Sequence, residues 1–280
     1  MTAKEARKRE AGETLPKPIR PEISAPVQNY IDLHRHAAVR VSLLSQPAMA
    51  LRLMLAHAIV GSSLWRVDVE KQRANTDAIA ESVEASASEA AFDAKRRDVL
   101  ALLGLDADTP TVTDGYAGDH GLPGLFLQLL GLSDEAVLSI LAIVMGETLA
   151  AGSATVELLG ALLNIGMASV WQADDALLDS IRDKEVISAI LAEVAGDTVA
   201  AANAGESVKV QRQIVRDCLA GTNGRTKVEG WVPRWMAFPP STYTDRGGVG
   251  SAERWERIAA LLETGRQSDV EDRHPFARAA

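Results

Sequence analysis

The chain has few cysteines, whose disulfides stabilise small secreted domains, and few aromatic residues, which favour β-sheets. A single cysteine, Cys218, in 280 residues excludes an intramolecular disulfide framework and fits a reducing cytoplasm. Aromatic residues make up only 4%, and no stretch shows the alternation of a half-buried strand. Alanine and leucine are abundant instead, and apolar residues reach 47%, so the composition favours an all-α fold with a sizeable core.

Long apolar runs are also missing. The longest, at positions 136–151, is interrupted by Glu147 and is too short to cross a bilayer, so we expect a buried helix and no membrane contact. The first residues are charged and contain prolines, without the apolar core of a signal peptide. These absences predict a cytoplasmic protein.

Positive charge is absent from a large part of the chain. Positions 98–181 contain no lysine or arginine but twelve acidic residues, and the net charge is −9. This balance argues against a protein that coats nucleic acid over its whole surface. Positions 206–246, however, carry seven basic residues against four acidic ones, which allows a local basic patch.

No motif for catalysis or cofactor binding is present. The chain has no phosphate-binding glycine loop, no nucleophile elbow and no zinc-protease motif, so we expect neither an enzyme nor a cofactor. His34 and His36 are two apart and point to different faces of a helix, and His57 lies one helix further on. We interpret them as polar positions on packed helices, with no metal site.

Two other candidates for chemistry have ordinary explanations. The stretch 106–121 is rich in acids but lacks the spacing of a calcium-binding loop, so we predict a solvated loop; its acids are Asp106, Asp108, Asp114 and Asp119. Cys218 has an acidic neighbour and no histidine nearby in sequence, which favours a plain buried thiol.

The order of segments predicts an irregular multi-helix bundle. Residues 1–26 contain four prolines and no apolar face, and we expect a disordered linker. Helical periodicity then runs through residues 27–262, and residues 263–280 are expected to form a loose tail. Within the helix predicted over 133–151, one apolar stripe is expected to be the deepest part of the core: Leu138, Leu141, Met145 and Leu149.

The stretch "DCLAGTNGRTKVEGWVPRWMAFPPSTY", at 217–243, mixes cations with tryptophans. Lys209, Arg212 and Arg216 share one face of the preceding helix by their spacing. Arg225 and Lys227 follow in a Gly/Asn turn, and Arg234 comes later. Cations presented in this way could contact phosphates, or they could form a solvated face.

Trp231 and Trp235 lie four apart in the same stretch. If the segment is helical, they share a face on which bases could stack. The alternative is that the indoles anchor a glycine- and proline-rich loop to the body of the domain. We expect anchoring to come first, with the cations held beside the anchored loop.

Several strings resemble one family: "YIDLHRHAAVR", "ALRLMLAHAIVGSSLWRV", "LAEVAGDTVAAAN" and "DCLAGTNGRTKVEGWVPRWMAFP". They resemble the C-terminal half of long ParB-like partition proteins of bacterial, especially alphaproteobacterial, plasmids and chromosomes. The resemblance spans about residues 20–262. It implies a role in segregation, with association to the nucleoid or a plasmid.

The part of the family that precedes this half is not matched. Its nuclease-like ParB domain and its helix-turn-helix have no counterpart here, so the resemblance supplies no catalytic residue, and we expect a C-terminal fragment. The sequence therefore predicts a non-enzymatic accessory region with weak, salt-dependent DNA binding. Its protein partners would be other partition-complex proteins or the ParB half. The alternative is a helical protein-interaction module with no nucleic-acid role.

Overall fold

The computed structural model describes residues 21–60, 67–115 and 120–271, and within these ranges it contains twelve α-helices, one 3₁₀ turn and no strand. The predicted all-α bundle is confirmed. Residues 1–20, most of the predicted linker, lie outside the described residues. The helices are α1 (Ala25–Leu44), α2 (Pro47–Val60), α3 (Asp77–Glu84), α4 (Ala87–Leu102), α5 (Gly121–Leu130), α6 (Asp134–Glu147), α7 (Ala154–Leu162), α8 (Asp175–Ser180), α9 (Lys184–Ala195), α10 (Asp197–Ala202), α11 (Val208–Ala220) and α12 (Gly250–Glu271).

Local sequence sets many of the helix ends. Ser86 Oγ accepts a hydrogen bond from Glu89 N at 3.2 Å at the start of α4, and Ser207 Oγ accepts one from Val210 N at 3.3 Å at the start of α11. Gly196, at φ 86°, separates α9 from α10. Gly221 ends α11 in the left-handed conformation.

Helix α1 lies at the centre of the bundle. It packs against α2, α3, α4, α6, α7, α8 and α12. Every residue from Leu33 to Arg40 is buried, so the helix is enclosed on all sides in its middle. Polar side chains in that span must find partners inside the protein, because burying them without hydrogen bonds costs free energy.

Half of the predicted α6 stripe lies in the core. Met145 and Leu149 are 0% and 2% exposed, whereas Leu138 and Leu141 are only partly buried; Ile143, outside the stripe, is 1% exposed. The helix packs against α1, α2 and α4 at once, so its second half is enclosed on several sides and no single stripe defines the core. It ends at Glu147, with Leu149 buried just beyond it.

Both predicted boundaries of the folded part need correction. Residues 21–26, assigned to the linker, belong to the fold: Glu22 and Ile23 are buried, and α1 begins at Ala25. The proline spacing misled the prediction because Pro26 sits in the first turn of a helix, where its missing N–H costs nothing. At the other end α12 continues beyond residue 262 to Glu271.

Candidate functional site

The stretch between α11 and α12, residues 222–249, is here called the tryptophan segment; it contains no helix. Trp231 and Trp235 therefore do not share a helical face. Trp235 is fully buried in the main core cluster, and Trp231 is partly buried against the same cluster. The backbone is tied to α11 by a hydrogen bond from Val228 N to Cys218 O at 2.9 Å.

A single carboxylate, that of Glu22, fixes the middle of the tryptophan segment. It accepts hydrogen bonds from Trp235 Nε1 at 2.7 Å, from Tyr243 N at 2.7 Å, and from Thr244 N and Thr244 Oγ1 at 2.8 Å each. Glu22 is 2% exposed, and its own N–H donates to Gly247 O at 3.1 Å. Sequence reasoning missed this contact, because Glu22 lies inside the predicted linker.

A buried guanidinium from α1 holds the next part of the segment. Arg35 is fully buried and donates to Trp235 O at 2.8 Å and to Ala237 O at 2.7 Å. Its guanidinium carbon lies 3.9 Å from the centre of the Phe238 ring. Burial lowers the pKa of Arg35 to about 10, with the charge of Glu157 acting in the opposite direction, so Arg35 stays charged at neutral pH.

Arg35 belongs to a cluster of four charges from three helices. It pairs with Glu157 of α7; Arg254 of α12 lies 3.0 Å from the Glu157 carboxylate and also pairs with Asp32 of α1. Burial raises the pKa values of Asp32 and Glu157, and the neighbouring arginines oppose that rise. Two cations and two anions balance one another, so the cluster joins helices and presents no net charge to a ligand.

The predicted cations of α11 contact acids of α8. Arg212 lies 3.2 Å from Asp179, and Arg216 donates to Asp175 at 2.6 Å and to Asp179 at 2.5 Å. These bonds to Asp175 and Asp179 raise the pKa of Arg216. The third predicted cation, Lys209, is exposed and forms no ion pair with the part of the chain that the structure describes.

The other predicted cations also meet carboxylates. Lys227 lies 2.8 Å from Glu229, with both side chains more than half exposed. Arg234 donates to Glu193 of α9 at 2.6 Å, and Arg225 is partly buried. Four of the six cations are thus paired within the chain: Arg212, Arg216, Lys227 and Arg234.

Glu193 accepts hydrogen bonds from three side chains of the tryptophan segment, which sequence reasoning missed. Its carboxylate accepts from Arg234 Nε at 2.6 Å, from Tyr243 OH at 2.7 Å and from Trp231 Nε1 at 3.3 Å. The guanidinium of Arg234 also lies 4.8 Å from the Tyr243 ring centre. The structure therefore brings Trp231 and Arg234 together, on a carboxylate that the chain itself supplies from helix α9.

A second polar group surrounds His34. His34 Nε2 lies 2.9 Å from Ser82 Oγ, Ser82 Oγ donates to Asp174, and Tyr30 OH donates to Asp174 at 2.9 Å. The serine stands between the histidine and the aspartate, whereas nucleophilic catalysis needs the histidine between the other two. Burial lowers the pKa of His34 to about 4, so the ring is neutral at neutral pH.

His36 is buried with both ring nitrogens engaged. Nε2 lies 2.6 Å from Leu149 O, and Nδ1 lies 3.1 Å from Gln72 Nε2. Burial, with the charge of Arg40, lowers its pKa to about 3. The side chain of His57 and the whole of Asp119 lie outside the described residues.

The remaining sequence candidates are the single cysteine, possible metal ligands and possible membrane helices. Cys218 is buried, as predicted. Among the residues that the structure describes, no three His, Cys, Asp or Glu side chains are grouped closely enough to hold a metal ion. In the same ranges no helix has the length and apolar character needed to cross a membrane.

Among the residues that the structure describes, α5 carries more exposed large apolar side chains than any other helix. Phe126, Leu127 and Leu130 are 57%, 68% and 65% exposed, while Leu125 and Leu129 of the same helix pack on the core cluster around α4 and α6. Sequence periodicity assigned α5 to the bundle but could not predict this outer face, because the helix is apolar all round.

Comparison with known proteins gives no match: no family model, no curated protein and no solved structure is significantly similar to this chain.

Proposed function

We propose that this chain is a non-enzymatic helical interaction module that binds a protein partner through the outer face of α5. The observation that carries the proposal is the exposure of three large apolar side chains on one helix, Phe126, Leu127 and Leu130. Exposed apolar side chains that cluster are typical of interaction sites, whereas scattered ones are normal on any surface. The opposite face of the same helix is packed, so the exposed side chains are held in place.

The resemblance to ParB-like partition proteins supports one setting for this module. In that setting the partner of α5 is another protein of the partition complex, and binding contributes to segregation of a plasmid or chromosome. The ion pairs of Arg212 and Arg216 with α8 favour protein contact over phosphate contact as the main activity, because these two side chains are only 17% and 25% exposed and are held against acids of the chain.

Replacing the outer face of α5 tests this function. We expect the double variant Leu127→Ser/Leu130→Ser to raise the loss rate of the replicon that encodes the chain, with an unchanged melting temperature. Leu261→Ser on α12 is the matched control, since Leu261 is 67% exposed. Stable inheritance of the replicon in cells that carry only the double variant would refute the proposal.

Weak, salt-dependent DNA binding is a second candidate. Lys209 is exposed and outside any ion pair of the described residues, and the Lys227–Glu229 pair is exposed. An exposed ion pair contributes about 0–1 kcal/mol, so a DNA phosphate can compete for Lys227. A contact of this kind releases counterions and weakens steeply with salt.

The salt dependence of binding tests this candidate. Lys209→Ala/Lys227→Ala should lower duplex affinity and reduce the slope of log affinity against log salt by about 2, roughly one unit per lost phosphate contact. Lys95→Ala, in the exposed pair with Asp98, is the control. If the wild-type chain gives no mobility shift at low salt, the module has no role in DNA binding.

A further inference from the structure

The outer face of α5 is an apolar stripe that runs over two helical turns. Phe126, Leu127 and Leu130 are more than half exposed, and Pro123, one turn earlier, is exposed as well. These positions are three, four or seven apart, so their side chains lie on one side of the helix. At 1.5 Å per residue the stripe is about 10 Å long.

The inner side of the same helix is fixed to the bundle. Leu125 and Leu129 pack on the core cluster of α4 and α6, and Gln128 Nε2 donates to Leu103 O, at the end of α4, at 2.8 Å. A surface that is ordered before binding loses little conformational entropy when a partner covers it. The outer face of α5 is therefore presented in a set geometry.

Exposed acids lie close to one end of the stripe. Helix α6 begins at Asp134, four residues after Leu130, and Glu135 follows; both are exposed. A hydrogen bond from Gly131 N to Gln128 O at 3.0 Å keeps the connection coiled. Asp134 thus lies nearer to Leu130 than the about 14 Å that four extended residues would span.

Two further acids follow α4 on the side that α5 contacts. The Gln128–Leu103 hydrogen bond joins the two helices at this point, and Leu105 packs on the same core cluster as α5. Asp106 and Asp108 come directly after it and are exposed, and Asp108 N bonds to Asp106 Oδ1 at 2.8 Å. The apolar stripe therefore has acidic neighbours from two different elements.

Positive charge is missing from all of these elements. Positions 98–181 contain no lysine or arginine, and this range includes the loop after α4, the whole of α5 and the whole of α6. The cations that precede it in sequence lie on α4, and each forms an ion pair with an acid of that helix: Lys95, Arg96 and Arg97. The acids beside the stripe are thus left to attract a cationic partner.

We infer that the outer face of α5 binds an amphipathic helix whose apolar residues are flanked by lysine or arginine. This inference rests on the function proposed above and adds the chemistry of the partner. Apolar residues at the same helical spacing interdigitate with the stripe, and the cations beside them meet Asp134, Glu135, Asp106 and Asp108. A few partly exposed side chains offer far less than the about 800 Å² per partner of a standard interface, which suits a short helix.

The same charges argue against three other occupants. A second copy docked through the same face would place acids opposite acids, because a two-fold interface brings identical surfaces together. An anionic lipid surface and a nucleic acid would each meet like charge at Asp134 and Asp106. A cationic protein segment is the occupant that satisfies both the apolar stripe and its acidic neighbours.

Three synthetic peptides, each titrated into the full chain by calorimetry, test this chemistry. The first, about 18 residues long, carries leucine on one helical face and lysine on the other. The second has glutamate in place of lysine, and the third has the composition of the first in an order without an apolar stripe. We expect the lysine peptide to bind about tenfold or more tightly than either of the others, and to lose affinity as salt is added.

Variants of the acids separate local attraction from the net charge of the chain. Asp134→Asn/Glu135→Gln should weaken binding of the lysine peptide several-fold and make it less sensitive to salt. The control Asp197→Asn/Glu206→Gln removes the same two charges from exposed positions on α10 and before α11. We expect the control to leave the affinity unchanged, because exposed charges farther away than about 10 Å are largely screened.

The apolar variant tests the stripe and the rival occupants. Leu127→Ser/Leu130→Ser should abolish binding of the lysine peptide. A dimer of the wild-type chain in sedimentation, lost in this variant, would assign the face to a second copy and overturn the inference. Adsorption to phosphatidylglycerol vesicles, lost in the same variant, would assign it to a membrane.

The inference and the proposed function can fail separately. Equal binding of the lysine and glutamate peptides would overturn the cationic partner and leave the outer face of α5 as an interaction site. An equal loss of affinity in the acid variant and its control would also overturn it. Failure of all three peptides to bind would overturn the inference, whereas the replicon-loss test decides the proposed function.

Discussion

At the scale of single residues, the fold depends on polar groups buried where the sequence looks unremarkable. Glu22 is the clearest example, because four donors of the tryptophan segment converge on one carboxylate. Its position beside Pro21 and before Pro26 made it look like part of a linker. Only the folded chain brings residue 22 to residues 235–244, and sequence periodicity carries no information about so distant a pairing.

Removing the Glu22 carboxylate should therefore be costly. We expect Glu22→Ala to lower the free energy of unfolding by at least about 1–3 kcal/mol, because the substitution leaves buried donors unsatisfied. Glu22→Gln keeps one acceptor oxygen and should cost less. Urea denaturation measures both, with the exposed Glu229→Ala as control; equal stability of Glu22→Ala and wild type would contradict the role given to this contact.

The two buried histidines of α1 predict a pH dependence of stability. The folded pKa values of about 4 for His34 and about 3 for His36 lie below the ordinary 6.5, so the unfolded chain binds their protons first. Stability should fall as pH decreases from about 6.5 towards 4, with a slope of up to about 1.4 kcal/mol per pH unit for each histidine. Above pH 6.5 the contribution of these groups is constant.

Comparing wild type with His34→Asn isolates one of these contributions. The raised pKa values of Asp32 and Glu157 act with the opposite sign at acid pH, so the difference between the two proteins is the informative quantity. Urea denaturation at a series of pH values should show a shallower slope for the variant between pH 6.5 and 4. Parallel curves would mean that His34 titrates normally in the folded state.

At the scale of helices, the sequence predicted that a segment is helical better than it predicted where the helix ends or which of its faces is buried. The helical periodicity predicted from residue 27 onward is confirmed, and Ser133 caps α6 at the predicted start of that helix. Helical periodicity did not predict that α3 begins only at Asp77, because the residues before it are held against α1, where Asn75 N bonds to Asn29 Oδ1 at 2.7 Å. Tertiary hydrogen bonds of this kind override local helix propensity.

The buried face of α6 gives a prediction at this scale. Ile143→Ala should cost about 2–5 kcal/mol, since Ile143 is 1% exposed and its removal leaves a cavity between α4 and α6. Leu141→Ala should cost less, because Leu141 is only partly buried. Chemical denaturation measures the free energy of unfolding of both variants. A larger loss for Leu141→Ala than for Ile143→Ala would support the stripe predicted from spacing.

The charge cluster that joins α1, α7 and α12 should behave as one unit. Glu157→Ala leaves Arg35 buried beside Arg254 without its carboxylate, and we expect a loss of about 3–5 kcal/mol. Adding Arg35→Met to that variant should cost less than the two single changes summed. A double-mutant cycle measured by denaturation gives the coupling, and simple additivity would show that the cluster does not act together.

At the scale of the whole molecule, the site was harder to predict than the fold. The six cations were identified from their spacing, but their partners Asp175, Asp179 and Glu193 come from other helices and were not. The exposed face of α5 likewise depends on which surfaces the bundle leaves uncovered. Periodicity shows which residues form an apolar face, but it does not show which apolar face the folded bundle leaves exposed.

Truncation from the N-terminus tests where the folded unit begins. Deletion of residues 1–20 should leave the melting temperature unchanged, as expected for the linker, whereas deletion of residues 1–26 should lower it by several degrees, because the second deletion removes Glu22 and Ile23 from the core. Differential scanning calorimetry of the two chains provides the comparison. Equal melting temperatures would return residues 21–26 to the linker.

The contact between Glu22 and the tryptophan segment also determines how the molecule would carry load. Glu22 N bonds to Gly247 O at 3.1 Å, and Gly248 is so close to Pro21 that a Cβ there would lie 2.4 Å from the proline Cβ. A pull on the chain ahead of residue 21 is therefore transmitted to residues 235–248 before it reaches α1. Under tension the contacts of Glu22 with the tryptophan segment would be loaded before those of α1, which begins at Ala25.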